Sequence, residues 1–187
     1  MSTQIVSPKG QFSYPNLFKA RRNNLNKDDK REFYSVDVLF DKSADLSKLN
    51  EGIQAAIEKK LGADKTKYPK KLNLPIKDGD EKGTPEYAGK FYITCKSDAS
   101  RGKLQVFDRT RKVLESESDI VGGDFGHVLL NFFYYDANGN KGVSVGLNGV
   151  MLVEKTSEPF SGSKSAFEAF ESLAEDVYEQ QNPEMFK

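Results

Sequence analysis

The chain has 187 residues, 30% of them charged, with 28 basic and 28 acidic side chains and no formal net charge at neutral pH. This length suits one domain with its own core, and the single Cys95 excludes an intrachain disulfide and points to a reducing compartment. No apolar run reaches the ~20 residues of a bilayer span, and the opening Met-Ser-Thr-Gln-Ile-Val has no signal-peptide core, so a cytoplasmic protein without a membrane partner is expected.

Period-two alternation dominates the chain and predicts strands. Residues 12–18 read as a first strand, with Pro15 tolerable at an edge or bulge. A basic stretch over 19–31 follows. Residues 33–40 then alternate, with Tyr34, Val36, Val38 and Phe40 on one face and Ser35 and Asp37 on the other. Next, Leu46, Leu49, Ile53, Ile57 and Leu61 recur at helical spacing. Asp45 or Ser43 can cap that helix, and Gly62 can end it. Residues 65–86 are rich in Lys, Pro, Gly and Asp and predict a long loop with a short extended piece at 72–76. Such loops are more often functional or mobile than inert.

Residues 90–97 predict a strand whose faces are Phe91, Ile93, Cys95 and Lys90, Tyr92, Thr94, Lys96. Another short strand is expected at 104–107. A hairpin is expected from 126–135 and 142–153, because Asn138-Gly139 supplies the positive φ of a tight turn. The pair Tyr134-Tyr135 points to opposite faces, so at most one serves a ligand. From about residue 156 a Ser/Gly linker leads to 166–178, where Phe167, Phe170, Leu173 and Val177 have amphipathic-helix spacing. The expected fold is mainly β: an OB-like antiparallel barrel over 1–155 with one internal helix and long loops, then a linker and acidic C-terminal segment over 156–187. A β-sandwich fits the pattern almost as well.

The zero net charge conceals a split. Residues 1–153 hold 25 Lys/Arg against 20 Asp/Glu, and residues 154–187 hold 3 against 8. A cationic body can bind a polyanion, and its acidic tail can compete for that surface. The face Lys90, Tyr92, Thr94, Lys96 alternates cation and aromatic, the combination that neutralises phosphates and offers a ring to a base. One basic cluster follows it in sequence, around Lys103, Arg109 and Arg111, and a second, from Lys19 to Arg31, lies between the first two strands. A solvated surface with ordinary cations is the bland alternative. The tail segment can dock on the barrel, pack on a second protomer, or act as a mobile acidic arm.

Other motifs carry less. Asp78, Asp80 and Glu81 flank Gly79 and could hold Mg²⁺ for phosphodiester cleavage, but Asp-Gly is first a turn signal. The run Gly122-Gly-Asp-Phe-Gly126 lacks the Gly-Lys-Ser/Thr of a phosphate loop. His127 and Cys95 are single residues in apolar runs and propose no zinc site. No catalytic residue, metal or cofactor is expected.

Three blocks resemble a bacteriophage single-stranded-DNA-binding protein family with an OB fold. They are Phe-Ser-Tyr-Pro-Asn-Leu-Phe-Lys-Ala (12–20), Leu-Asn-Leu-Pro-Ile-Lys-Asp-Gly-Asp-Glu (72–81) and the stretch from Asn131 to Val150. The resemblance implies a non-catalytic protein that coats and protects single strands in replication or recombination, and leaves open protein partners on the tail and a homo-oligomer. The expected phosphate contacts, from strand parity and charge, are Arg21, Arg22, Lys90, Lys96, Lys103, Arg109 and Arg111, with Tyr92 and Phe107 as stacking rings. The rivals are a phage structural or assembly protein and a metal-dependent nuclease. Members of this functional class often end in a dense acidic run closed by Phe, whereas here Phe186 is penultimate.

Overall fold

The computed structural model describes residues 4–22 and 27–160. The expected features at 161–187, including the helix at 166–178 and the Phe186 anchor, lie outside the described residues. Among the described residues eight strands form one sheet: β1 (Ile5–Val6), β2 (Gly10–Arg22), β3 (Glu32–Asp41), β4 (Lys77–Asp78), β5 (Lys90–Asp98), β6 (Val106–Asp108), β7 (Phe125–Ala137) and β8 (Asn140–Glu154). One helix, α1 (Ser47–Leu61), connects β3 to the loop before β4.

The pairings close a ring. β2 pairs with β3, β3 with β5, β5 with β8, β8 with β7, and β7 with β2. The β5–β8 contact is parallel, at Lys96 and Gly146; the other ring pairings are antiparallel. This five-strand ring is the OB-type arrangement. Beyond Lys96 the rest of β8 pairs with β6 instead, at Val150–Leu152. β6 therefore takes over where β5 leaves β8.

The inward face follows the parity of the sequence. Val36, Val38 and Phe40 of β3 meet Ile93 and Cys95 of β5, Phe12 of β2, and Val128, Leu130, Val145 and Leu147 of the hairpin in one core. Cys95 has no exposed surface, and burial pushes its thiol pKa up, so it packs as a hydrophobe. His127 sits within β7 with its Nδ1 2.9 Å from the Ser7 carbonyl.

α1 forms where its apolar stripe predicts. Ile53, Ala56 and Ile57 bury against Val143, with Phe132 and Tyr134 packed at the edge. The capping is indirect: Leu46 holds the N-cap position, and Asp45 accepts the Ser47 amide hydrogen bond at 3.0 Å. Gly62, at φ 81°, ends the helix and donates to the Glu58 carbonyl. The β7–β8 hairpin turns at Asn138 (φ 52°) and Gly139 (φ 79°), the left-handed pair that the Asn-Gly signal calls for.

Two expected elements are reduced. The extended piece at 72–76 is a single bridge from Asn73 to Gly142. The strand expected at 104–107 starts only at Val106.

Candidate nucleic-acid interface

The outer face of β2, β3 and β5 is fixed row by row by strand register. Arg21, Phe33 and Asp98 form one row; Asn16, Ser35 and Lys96 the next; Ser13, Asp37 and Thr94 a third. Leu39 with Tyr92, then Asp41 with Lys90, complete the β3–β5 ladder.

The face divides in two. Over the third and fourth rows lies the segment 79–87, tied down by one carboxylate. Asp37 Oδ2 accepts from the Tyr87 hydroxyl at 2.6 Å and from Lys82 Nζ at 3.1 Å, while Oδ1 accepts from Thr94 at 2.7 Å. Lys82 Nζ lies 4.2 Å from the Tyr87 ring centroid and 4.8 Å from that of Tyr92. Tyr87 and Tyr92 meet edge to face at 5.0 Å. Burial, then hydrogen bonding to Asp37, pushes the Tyr87 pKa well above the tyrosine range.

The segment is built by the Asp-Gly-Asp-Glu motif. Any side chain at Gly79 would run into the carbonyls of Tyr87 and Lys90. Asp78 accepts from the Asp80 amide, Asp80 accepts from the Gly89 amide, and Lys42 bridges both carboxylates. Two of the three carboxylates weighed as metal ligands, Asp78 and Asp80, thus share the Lys42 ammonium, which accounts for them as architecture.

The first two rows are open. The Phe33 ring is half-buried, with the Arg31 guanidinium 5.4 Å and Lys96 Nζ 6.0 Å from its centroid. Arg21 faces it across the ladder. Asp29 orients Arg31 through two hydrogen bonds, 2.9 and 2.7 Å, and those bonds hold the Asp29 pKa down at about 2. The result is an aromatic ring with two cations over it and Arg21 opposite it in the ladder.

The expected site residues therefore fall into groups. Arg21 and Lys96 meet at the open rows; Arg22, exposed, pairs one step further on with Glu32. Tyr92 is partly covered by Lys82, and Lys90 is held by Gln11 at 2.7 Å. The stripe read as one binding face is thus only partly available. Lys103 lies outside the strands, 3.6 Å from Glu115. Arg109 and Arg111 are exposed in the turn between Phe107 and Val113, which Asp108 closes by accepting from Thr110 and Lys112. Phe107 pairs with Met151 on β8, so this basic turn belongs to the β6 edge rather than to the β3–β5 ladder.

Phe33 and Tyr14 are additions, and Arg31 of the first basic cluster joins the expected site. Phe33 shares parity with Ser35 and Asp37, so its outward direction was legible. Tyr14 has φ 47° and is 60% exposed, set by an irregularity in β2 between Ser13 and Asn16. Past Thr94, a shallow depression of about 260 Å³ runs to Lys77, Leu74, Tyr135 and Ser144. Tyr134 packs towards α1 while Tyr135 lines this depression, the split that strand parity requires.

A family model described as the Enterobacter phage Enc34 ssDNA-binding protein matches residues 3–182. The chain belongs to this Enc34 single-stranded-DNA-binding family. The Enc34 protein in complex with ssDNA is 25% identical, with a TM-score of 0.67 over 84% of this chain and 89% of that one. A second Enc34 structure is 24% identical, with a TM-score of 0.65 over 89% of each chain. The fold is shared with gp2.5, a single-stranded DNA binding protein encoded by bacteriophage T7, at 21% identity and a TM-score of 0.63 over 87% of this chain and 93% of that one. No curated protein matches the chain significantly. OB folds in general bind oligonucleotides on the face of their second and third strands, which in the ring of this chain are β3 and β5.

Proposed function

We propose that this protein binds single-stranded DNA without sequence specificity and coats it, without catalysis, during phage replication in the host cytoplasm. The observation that carries the reading is Phe33, a ring on the outer β3 face with Arg31, Lys96 and Arg21 around it. Membership of the Enc34 family supports it. A base stacks on Phe33 while the three cations take the flanking phosphates. Base–aromatic stacking is worth roughly 1–3 kcal/mol and tolerates any base. The strand continues past Thr94 towards Lys77 and Tyr135. Arg22 extends the cationic track, and Lys103, Phe107, Arg109 and Arg111 offer a separate basic edge that a longer strand reaches. The acidic residues of 154–187 compete for the same cations.

Incubating the protein and Mg²⁺ with a labelled single strand, with and without an added nuclease, tests the non-catalytic part. The proposal expects an intact strand alone and protection when nuclease is present. Mg²⁺-dependent loss of the strand without added nuclease would contradict it.

A further inference from the structure

A groove of about 690 Å³ opens beside the Phe33 surface, on the far side of the β2 irregularity. It is lined by Tyr14, Asn16 and Arg21 of β2, by Glu86, by Glu117 and by Phe160. Tyr14 is its conspicuous member. A bulky L-residue at φ 47° is a backbone outlier, and such strain tends to persist where a side chain must be aimed at a ligand. The irregularity between Ser13 and Asn16 does the aiming. The Tyr14 ring stacks at 6.5 Å on Tyr87, yet is 60% exposed, so it keeps surface for a second flat partner.

The groove also holds hydrogen-bonding capacity. Among the described residues, neither the Glu86 nor the Glu117 side chain has a hydrogen-bond or ion-pair partner. Both are free to accept. An ionised carboxylate only accepts, so it selects bases by their donors. Guanine presents two adjacent donors, N1–H and N2–H₂, spaced for the two oxygens of one carboxylate. Adenine and cytosine place a ring-nitrogen lone pair beside their amino group, so one attraction meets one repulsion. Thymine has a single N3–H between two carbonyls.

We propose that this groove is a nucleobase pocket in which Tyr14 stacks on a splayed base and Glu86 or Glu117 reads its Watson–Crick edge, favouring guanine and disfavouring thymine. Arg21, which also borders Phe33, holds the phosphate between the two bases. The proposal rests on the single-stranded-DNA reading and adds a base preference to an otherwise sequence-tolerant surface. Single-stranded bases are open to such edge reading because their pairing edges are unoccupied.

The test is competition anisotropy with a twelve-residue all-thymine strand and the same strand carrying one central guanine. The full-length protein should bind the guanine strand roughly tenfold more tightly, the scale of one bidentate base contact. The double variant E86Q/E117Q should lose that preference without weaker binding of the all-thymine strand. Y14L should weaken both. If the double variant does not fold, E86Q and E117Q are measured separately, and one of them must lose the preference. Equal affinity for the two strands in the wild-type protein, or a preference that survives every glutamate variant, overturns the pocket and leaves the DNA reading standing. Failure of the wild-type protein to bind either strand overturns both.

Discussion

The Tyr87 hydroxyl donates to Asp37 Oδ2 at 2.6 Å, from a ring with no exposed surface that lies outside the strand barrel. This bond fastens the 79–87 segment onto the outer face and so decides which part of that face stays open. Y87F removes the donor but leaves Asp37 its contacts with Lys82 and Thr94. It should cost about 1 kcal/mol. D37A leaves the Tyr87 hydroxyl buried without its partner and should cost about 2–3 kcal/mol, read by urea denaturation.

Burial of the Tyr87 ring, together with the same bond, sets an alkaline limit. The Tyr87 pKa is raised above its unfolded value, so its contribution is complete below about pH 10 and is lost as pH rises beyond the ordinary tyrosine range. In an absorbance titration Tyr87 should ionise after the exposed tyrosines, and only as the fold opens. Y87F should remove this late step.

Arg31 and Asp29 give the acid counterpart. The Asp29 pKa is lowered from 3.8 to about 2 by hydrogen bonds from Arg31. A lowered folded pKa stabilises above the unfolded value and loses that stabilisation as pH falls from about 4 towards 2. Carboxyl NMR should place the Asp29 midpoint near 2, and R31A should return it to the ordinary aspartate range. The pair is solvent-exposed, so its value lies in orienting Arg31 over Phe33 more than in global stability.

Asp124 is the other buried carboxylate with a defined task. It accepts from the amides of Val121 and Thr156, at 2.9 Å each, and from Lys155 Nζ at 2.6 Å. The Phe160 amide then donates to the Gly122 carbonyl. D124A should destabilise the protein by about 1–3 kcal/mol through the two amides it strands. Amide exchange at Thr156 and Phe160 should accelerate beyond that at β7.

These features mark what the sequence disclosed and what it did not. Inward parity on β3 and β5, the α1 stripe and the Asn138-Gly139 turn were legible because each rests on local periodicity or local φ. Phe33 was legible by parity with Asp37, although the stronger signal of its strand is the buried face of Val36, Val38 and Phe40. The covering of Tyr92 by Lys82 was not, since it depends on the 79–87 loop folding back across β5. Nor was the strained Tyr14: its outward aim comes from a register irregularity that no spacing rule reveals. Asp124 was hidden inside a glycine-rich run whose only sequence signal was an incomplete phosphate loop. Long-range closure by single carboxylates is therefore the recurring blind spot.

The segment after Phe160 carries six acidic residues against two lysines. Ending the chain at Phe160 keeps the Asp124 contacts and removes these acidic residues. The shortened protein should bind a single strand more tightly at low salt, with the gain shrinking as salt screens the charges. Equal affinity at both salt concentrations would argue against competition.

The most direct test of the account is anisotropy of a labelled single strand with wild-type, F33A and R21A/K96A proteins at two salt concentrations, with duplex DNA and RNA as competitors. The account predicts salt-sensitive binding that duplex DNA does not displace. F33A should lose about 1–3 kcal/mol of binding, and R21A/K96A should lower the salt slope by about 2. Wild-type protein that ignores the strand at low salt, or an F33A protein that binds unchanged, would contradict it.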